Sequence, residues 1–264
     1  MHDEVGAMWK QLVLALGLGA MSVAVAAADG GRGTGVSPQA ERAVRAAIAS
    51  FGPGVKIERI APAEVPGFYR VIAAGQMVYV SDDGKYMLNG DLVQVDGHKS
   101  LGDAAWASFR KAQLASVPAS QRIVFAPPHP KTTLTVFTDV NCGFCRQLHE
   151  HIGDFMKAGI AVEYLAWPRE GVATTAGRPT PTYTEMVSVW CAADRKQAFA
   201  EAKEGHEPKP ATCNNPVKAQ YELGQRIGVS GTPAIFTPDG RELGGYVTAQ
   251  QVLDDLARHP GSGS

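Results

Sequence analysis

The sequence predicts an α+β chain of two domains, with a small β-rich unit, a helical connector and a larger domain in which strands and helices alternate. Three observations predict it. Short β-prone runs separated by turn residues crowd residues 68–95, a mixed polar and apolar helical stretch fills residues 104–116, and from Thr132 onward the texture becomes strand, helix, strand.

The N-terminus comes first. Lys10 precedes an uncharged run over residues 11–28, rich in Leu, Val and Ala, and Asp29 ends it. An apolar core at 12–25 followed by the small residues Ala24, Ala26 and Ala28 is the three-part pattern of an export signal, so residues 1–28 read as a signal peptide cleaved after Ala26 or Ala28. A membrane anchor is the competing reading, but a spanning helix wants about 20 apolar residues and this core is shorter and interrupted by glycine. Residues 2–7 are acidic, which fits a translation start at Met8. Removing residues 1–28 takes away Asp3, Glu4 and Lys10 and leaves 24 basic and 24 acidic side chains. Counterion release needs a basic face, so nucleic acid is not an expected partner. With 45% hydrophobic residues the chain can build real cores.

Residues 29–35 are Gly-rich and read as a flexible lead-in, since Val36 spoils any dinucleotide fingerprint. Ser37 and Pro38 look like a helix cap and first-turn proline, Val44, Ile48 and Phe51 supply an apolar face, and Gly52, Pro53 and Gly54 stop the helix. Runs at 68–73, 77–81, 86–88 and 92–95, with turns at Gly75, Asp83-Gly84 and Asn89-Gly90, predict an antiparallel meander. A unit below about 70 to 80 residues is marginal alone, and dimerisation is an ordinary remedy. Asp103 then caps a helix over 104–116, whose mixed face of Trp106, Phe109, Ala112 and Gln113 marks a connector ended by Pro118. Pro127, Pro128 and Pro130 stiffen the entry to the second domain.

There, a strand at 134–138, a helix carrying Leu148, Ile152 and Phe155, and a strand at 160–165 make a βαβ unit. Helical patterns follow at 183–190, 196–204 and 217–227, then a β-prone 234–236, a turn at Pro238, Asp239 and Gly240, a strand at 243–247 and a closing helix at 249–256. The Gly-Ser-Gly-Ser end is expected to be disordered, and no internal repeat is apparent.

All four cysteines, Cys142, Cys145, Cys191 and Cys213, follow the expected signal, and an even count in an exported chain favours disulfides. Cys142, Gly143, Phe144 and Cys145 stand between a strand and a helix, where the two-residue spacer brings both sulfurs within reach of one bond. At a helix start, unsatisfied N–H groups and the positive dipole end favour a thiolate, which makes the outer Cys142 the nucleophile. Zinc and an inert structural disulfide compete with this redox reading. Structural zinc usually has a second close ligand pair, whereas Cys191 and Cys213 lie 22 positions apart. His149, Glu150 and His151 do not form the helical zinc motif and read as a solvated helix face, and Trp190 beside Cys191 reads as core packing. No phosphate loop, metal site or cofactor is expected.

The stretches Thr135-Val136-Phe137-Thr138-Asp139, Cys142 to Cys145, and Gly228-Val229-Ser230-Gly231-Thr232-Pro233 resemble the DsbC-type disulfide isomerases. Val78-Tyr79-Val80-Ser81-Asp82-Asp83-Gly84-Lys85 and Tyr164-Leu165-Ala166-Trp167-Pro168-Arg169 extend the likeness over most of the chain after the signal. The resemblance implies a dimerisation domain at 29–100, a helical linker at 101–121 and a thioredoxin-like catalytic domain with a helical insertion at 122–264. It implies Cys142 as nucleophile, Cys145 as resolving thiol, Thr232 and Pro233 as a cis-proline loop that binds substrate, and a structural disulfide between Cys191 and Cys213. It also implies a periplasmic homodimer that acts on misfolded exported proteins and is re-reduced by a DsbD-type membrane electron donor. One departure is visible: six residues before Cys142, where thioredoxins often carry a buried acid, stands Val136, so no buried proton acceptor is assigned. The rival readings are a DsbG-like reductase, a plain oxidase, and a holdase or copper-binding protein on the same fold.

Overall fold

The structure is a computed structural model that describes residues 35–259, so the expected export signal and the Gly-Ser end lie outside the described residues. Helix α1 (Pro38–Ala49) opens at Ser37, whose hydroxyl accepts the Ala40 N–H at 3.2 Å, with Pro38 in the first turn where a missing donor costs nothing. It ends at Ala49, two residues earlier than the apolar spacing suggested, and Phe51 is left 65% exposed. Strands β1 (Ile57–Pro62), β2 (Phe68–Ala73), β3 (Gln76–Ser81) and β4 (Met87–Asn89) form an antiparallel sheet in that order. Strand β1 was not anticipated from the sequence. It lies at the sheet edge, the one place where a strand tolerates a proline such as Pro62. The run at 92–95 leaves the meander: β5 (Val93–Gln94) pairs with β6 (Lys99–Ser100) as a separate ribbon. Val44, Ile48, Val71 and Val80 make a small core between α1 and the sheet.

Helix α2 (Leu101–Ala115) starts three residues before the expected point, because Ser100 rather than Asp103 is its cap; the Asp103 N–H donates to Ser100 Oγ at 2.9 Å. The helix is docked on both sides. Phe109 and Leu114 share one core with Ile72 of β2 and with Phe137 and Phe236 of the second domain, and Arg110 donates to the Ile227 carbonyl at 3.0 Å and pairs with Glu242 at 2.7 Å.

The second domain holds β7 (Ile123–Phe125), β8 (Thr132–Thr138), α3 (Gly143–Glu150), α4 (Ile152–Lys157), β9 (Ile160–Ala166), α5 (Pro181–Cys191), α6 (Arg195–Lys203), α7 (Val217–Arg226), β10 (Ala234–Phe236), β11 (Glu242–Gly244) and α8 (Ala249–Arg258). Its sheet runs β11-β10-β8-β9-β7, with β8 and β9 parallel and the other pairs antiparallel. The central β8 is buried at every position except the half-buried Thr133, as a strand covered on both faces must be. The helix expected through Leu148 and Phe155 is broken at His151, which leaves helical geometry at φ −92° and ψ 13°. Strand β7 was not anticipated, and β11 is shorter than the 243–247 expected for it.

Candidate functional site

Strand β8 delivers the chain to a tight turn before α3, and the Asp139 carboxylate holds that turn. Its side chain is 1% exposed and accepts from the Asn141 N–H at 2.7 Å, the Arg169 N–H at 2.8 Å and Arg169 Nε at 3.2 Å. Cys142 is the cap residue of α3 and its N–H donates to the Asp139 carbonyl at 3.2 Å; Cys145 sits in the first turn. Both are buried free thiols. The loop between α7 and β10 covers them: the Thr232–Pro233 peptide is cis, and Cys142 Sγ donates to the Thr232 carbonyl at 3.2 Å. Phe144, between the cysteines, is 64% exposed.

The two thiols differ sharply in acidity. A hydrogen bond from Cys145, aided by the Cys145 N–H and the Arg169 charge, pulls the Cys142 thiol well below its ordinary value against the opposing effect of burial. Burial, and the bond already given to Cys142, push Cys145 far up. The surroundings therefore favour a thiolate on Cys142 and a protonated thiol on Cys145.

Behind Cys145 lie groups that sequence reasoning missed. Lys203 at the end of α6 is 4% exposed; its Nζ donates to Thr138 Oγ1 at 2.7 Å and to the Asp139 carbonyl at 2.8 Å. His149 is buried, not on a solvated face as expected, with Nδ1 3.2 Å from Tyr164 Oη and its ring edge-on to Phe125 and Phe199. It stands four residues after Cys145 on the inner face of α3, and that i, i+4 relation was the available sequence signal. Burial, reinforced by the Lys203 charge, holds its pKa down at about 4. Glu163, by contrast, pairs with Arg122 at 2.5 Å.

Cys191, the last residue of α5, is bonded to Cys213 in the segment before α7, with Cα atoms 5.6 Å apart, so that the link brackets α6. Trp190 is fully buried, donates from Nε1 to the Gln121 carbonyl at 3.1 Å and packs edge-on to Phe199. Among the described residues no group of three or more His, Cys, Asp or Glu side chains could hold a metal ion.

A Cys-x-x-Cys pair of unequal acidity at a helix start, beneath a prolyl loop on a mixed sheet, defines a thiol-disulfide oxidoreductase of the thioredoxin class. Comparison with known proteins agrees: residues 118–259 match the thioredoxin-like domain family, and residues 35–103 match the disulfide bond isomerase protein N-terminal domain. The thiol:disulfide interchange protein DsbC of Dickeya dadantii is 34% identical over 209 residues, 79% of this chain and 84% of that protein. Its counterpart in Escherichia coli is 33% identical over 228 residues, 86% and 91% of the two chains. A crystal structure of a disulfide interchange protein from Neisseria gonorrhoeae is 24% identical with a TM-score of 0.46, covering 54% of this chain and 97% of that one. The chain belongs to the DsbC family of thiol:disulfide interchange proteins.

Proposed function

We propose that the protein isomerises, and when that fails reduces, non-native disulfides in exported proteins, with Cys142 as nucleophile and Cys145 as resolving thiol. The observation that carries the reading is the opposed acidity of the pair at the head of α3, with Cys142 Sγ against the Thr232 carbonyl. Cys142 thiolate attacks a substrate disulfide; the new sulfur–sulfur bond forms as the old one breaks and one substrate thiolate leaves. A second substrate thiolate then attacks the mixed disulfide, expels Cys142 and makes a different pairing, so no net electrons are consumed. If none arrives, Cys145 attacks Cys142, the reduced substrate departs, and an external dithiol must re-reduce the pair. A DsbD-type membrane protein is the electron donor in this reading.

Thr232 and Pro233 form the substrate-binding loop, since a carbonyl already beside the sulfur can pair with an extended peptide. Cys191 and Cys213 are the structural disulfide of the inserted helix. Residues 1–28 are the export signal to the periplasm, 29–100 the dimerisation domain, 101–121 the linker and 122–264 the catalytic domain. A homodimer is supported by the apolar surface at the free edge of the first sheet: Tyr86, Leu88 and Val95 are 67%, 56% and 84% exposed on and around β4 and β5. Edge strands with such surface invite pairing.

Scrambled, fully oxidised ribonuclease tests the reading. The reduced protein restores ribonuclease activity catalytically, and Cys142→Ser does not. Reduction of the scrambled disulfides without regain of activity would leave a reductase in place of an isomerase.

A further inference from the structure

When Cys145 attacks the mixed disulfide it must lose a proton inside the protein, and Val136, at the place of the usual buried acid, cannot take it. The Asp139 carboxylate lies in the turn before the cysteines, but its oxygens are committed to Asn141 and Arg169. Glu163 is committed to Arg122. A buried amine is what stands there. Lys203 reaches from α6 to Thr138 Oγ1 at 2.7 Å, it is 4% exposed, and no carboxylate forms an ion pair with it among the described residues. Thr138 is fully buried at the end of β8. The Asp139 carbonyl that accepts from Lys203 Nζ at 2.8 Å also accepts the Cys142 N–H at 3.2 Å, which places the amine at the first turn of α3, where Cys145 sits. The Thr138 hydroxyl and the Lys203 charge both act to lower the Cys145 pKa. Hydroxyl and amine are in contact with each other, and the turn they lie against carries the sulfur.

We propose that Lys203 accepts the Cys145 proton through the Thr138 hydroxyl during resolution and returns it when the pair is re-reduced. The inference rests on Cys145 being the resolving thiol. Neutral Lys203 has two N–H groups and one lone pair; it can keep its bond to the Asp139 carbonyl while accepting from Thr138 O–H, which in turn accepts from Cys145 S–H. On attack, the Cys145–Cys142 bond forms and the bond from Cys142 to substrate sulfur breaks. The substrate leaves as a thiolate, and the displaced proton ends on Nζ as an ammonium. Re-reduction runs this backwards: Cys145 departs as a thiolate and Lys203 protonates it.

The groups that face the amine are Cys142, Cys145, His149 and Arg146 from α3 and Asp139 from the turn after β8. Burial lowers the Lys203 pKa most; Cys145 and Asp139 oppose that, and the outcome is about 8. About one molecule in ten therefore carries the neutral amine at pH 7. An ordinary surface lysine would be neutral roughly one time in a few thousand.

The test is single-turnover resolution. Reduced full-length protein is mixed with a short peptide disulfide, acid-quenched, and the mixed disulfide is counted by mass spectrometry from pH 6 to 10. Wild type should resolve faster as pH rises and level off above about 8. Lys203→Met should slow resolution at pH 7 by roughly 100-fold, the lower end of general-base effects, and lose the inflection. Lys203→Arg keeps the charge but cannot accept a proton, so it should stay as slow as Lys203→Met. Thr138→Val, which leaves Lys203 in place, should be slow as well and covers the case in which Lys203→Met does not fold. Wild-type rate and profile in Lys203→Arg would overturn the relay and leave only a charge effect, and an unimpaired Thr138→Val would remove the hydroxyl from it. Cys145→Ser is the control: resolution persisting there means that the resolving-thiol assignment itself is wrong.

Discussion

Cys142 and Cys145 are the same residue type one helical turn apart, and their surroundings drive them in opposite directions. The dominant cause for Cys142 is the hydrogen bond from Cys145, which gives a direct prediction. Alkylation of Cys142 should follow a midpoint below that of an ordinary thiol, and Cys145→Ala should move the midpoint up because the largest stabiliser of the thiolate is gone. An unmoved midpoint in a pH series of iodoacetamide rates would show that the pair does not share its proton. Trapping separates the roles: Cys145→Ser should accumulate mixed disulfides on non-reducing gels and Cys142→Ser should not. His149 carries a stability prediction. Its folded pKa of about 4 lies below the unfolded value of 6.5, so the unfolded chain takes up the proton first as pH falls. The stability held by neutral His149 is complete above about pH 6.5 and is lost towards pH 4, by about 3 kcal/mol in all. Urea midpoints at pH 7 and 4.5 should converge for His149→Asn relative to wild type; equal pH sensitivity in both proteins would count against the buried neutral ring.

Elements that announce themselves locally were legible in the sequence. The Ser37-Pro38 cap, the turns at Gly75 and Gly84, the strand that becomes β8 and the helix start at Cys142 each depend on residues within a few positions. What was not legible depends on partners far along the chain. Lys203 sits in a helical pattern rich in Ala, Glu and Lys that marks no one residue out, and only tertiary packing brings it to Thr138, 65 positions away. Strands β1 and β7 are edge strands of their sheets, where only one neighbour constrains the pattern. The Cys191–Cys213 bond closes a loop that contains α6, so it holds the helix that carries Lys203. Replacing both by serine should cost about 3 kcal/mol by the chain-entropy relation, lowering the melting temperature while leaving Cys142 reactive. An unchanged melting curve would mean the link does not hold the insertion. Gly240 offers a second handle on packing, since its φ of +88° and the Ala107 carbonyl facing it leave no room for a Cβ. Gly240→Ala should therefore destabilise the contact of α2 with the β10–β11 turn, by more than about 1 kcal/mol in denaturant titrations.

At the scale of the molecule, α2 ties the first sheet to the catalytic domain through one continuous core that includes Ile72, Phe109, Phe137 and Phe236. A redox site on such a frame can be presented at a fixed angle, and two copies paired through the β4 edge would hold a misfolded client from both sides. Paired weak contacts lengthen its stay, which is what reshuffling needs: the client must remain until its own thiol finds the mixed disulfide. Reduction of a small disulfide has no such need. Deleting residues 29–100 should therefore give a monomer by sedimentation, with reductase activity per site close to that of the full chain. The most direct measurement is the regain of activity by scrambled ribonuclease with the full-length and truncated proteins side by side, normalised to the reduction rate of a small disulfide. Isomerase activity should fall by tenfold or more in the truncated form while reduction persists. Undiminished isomerase activity in the monomer, or a full-length protein that is itself monomeric, would contradict the account.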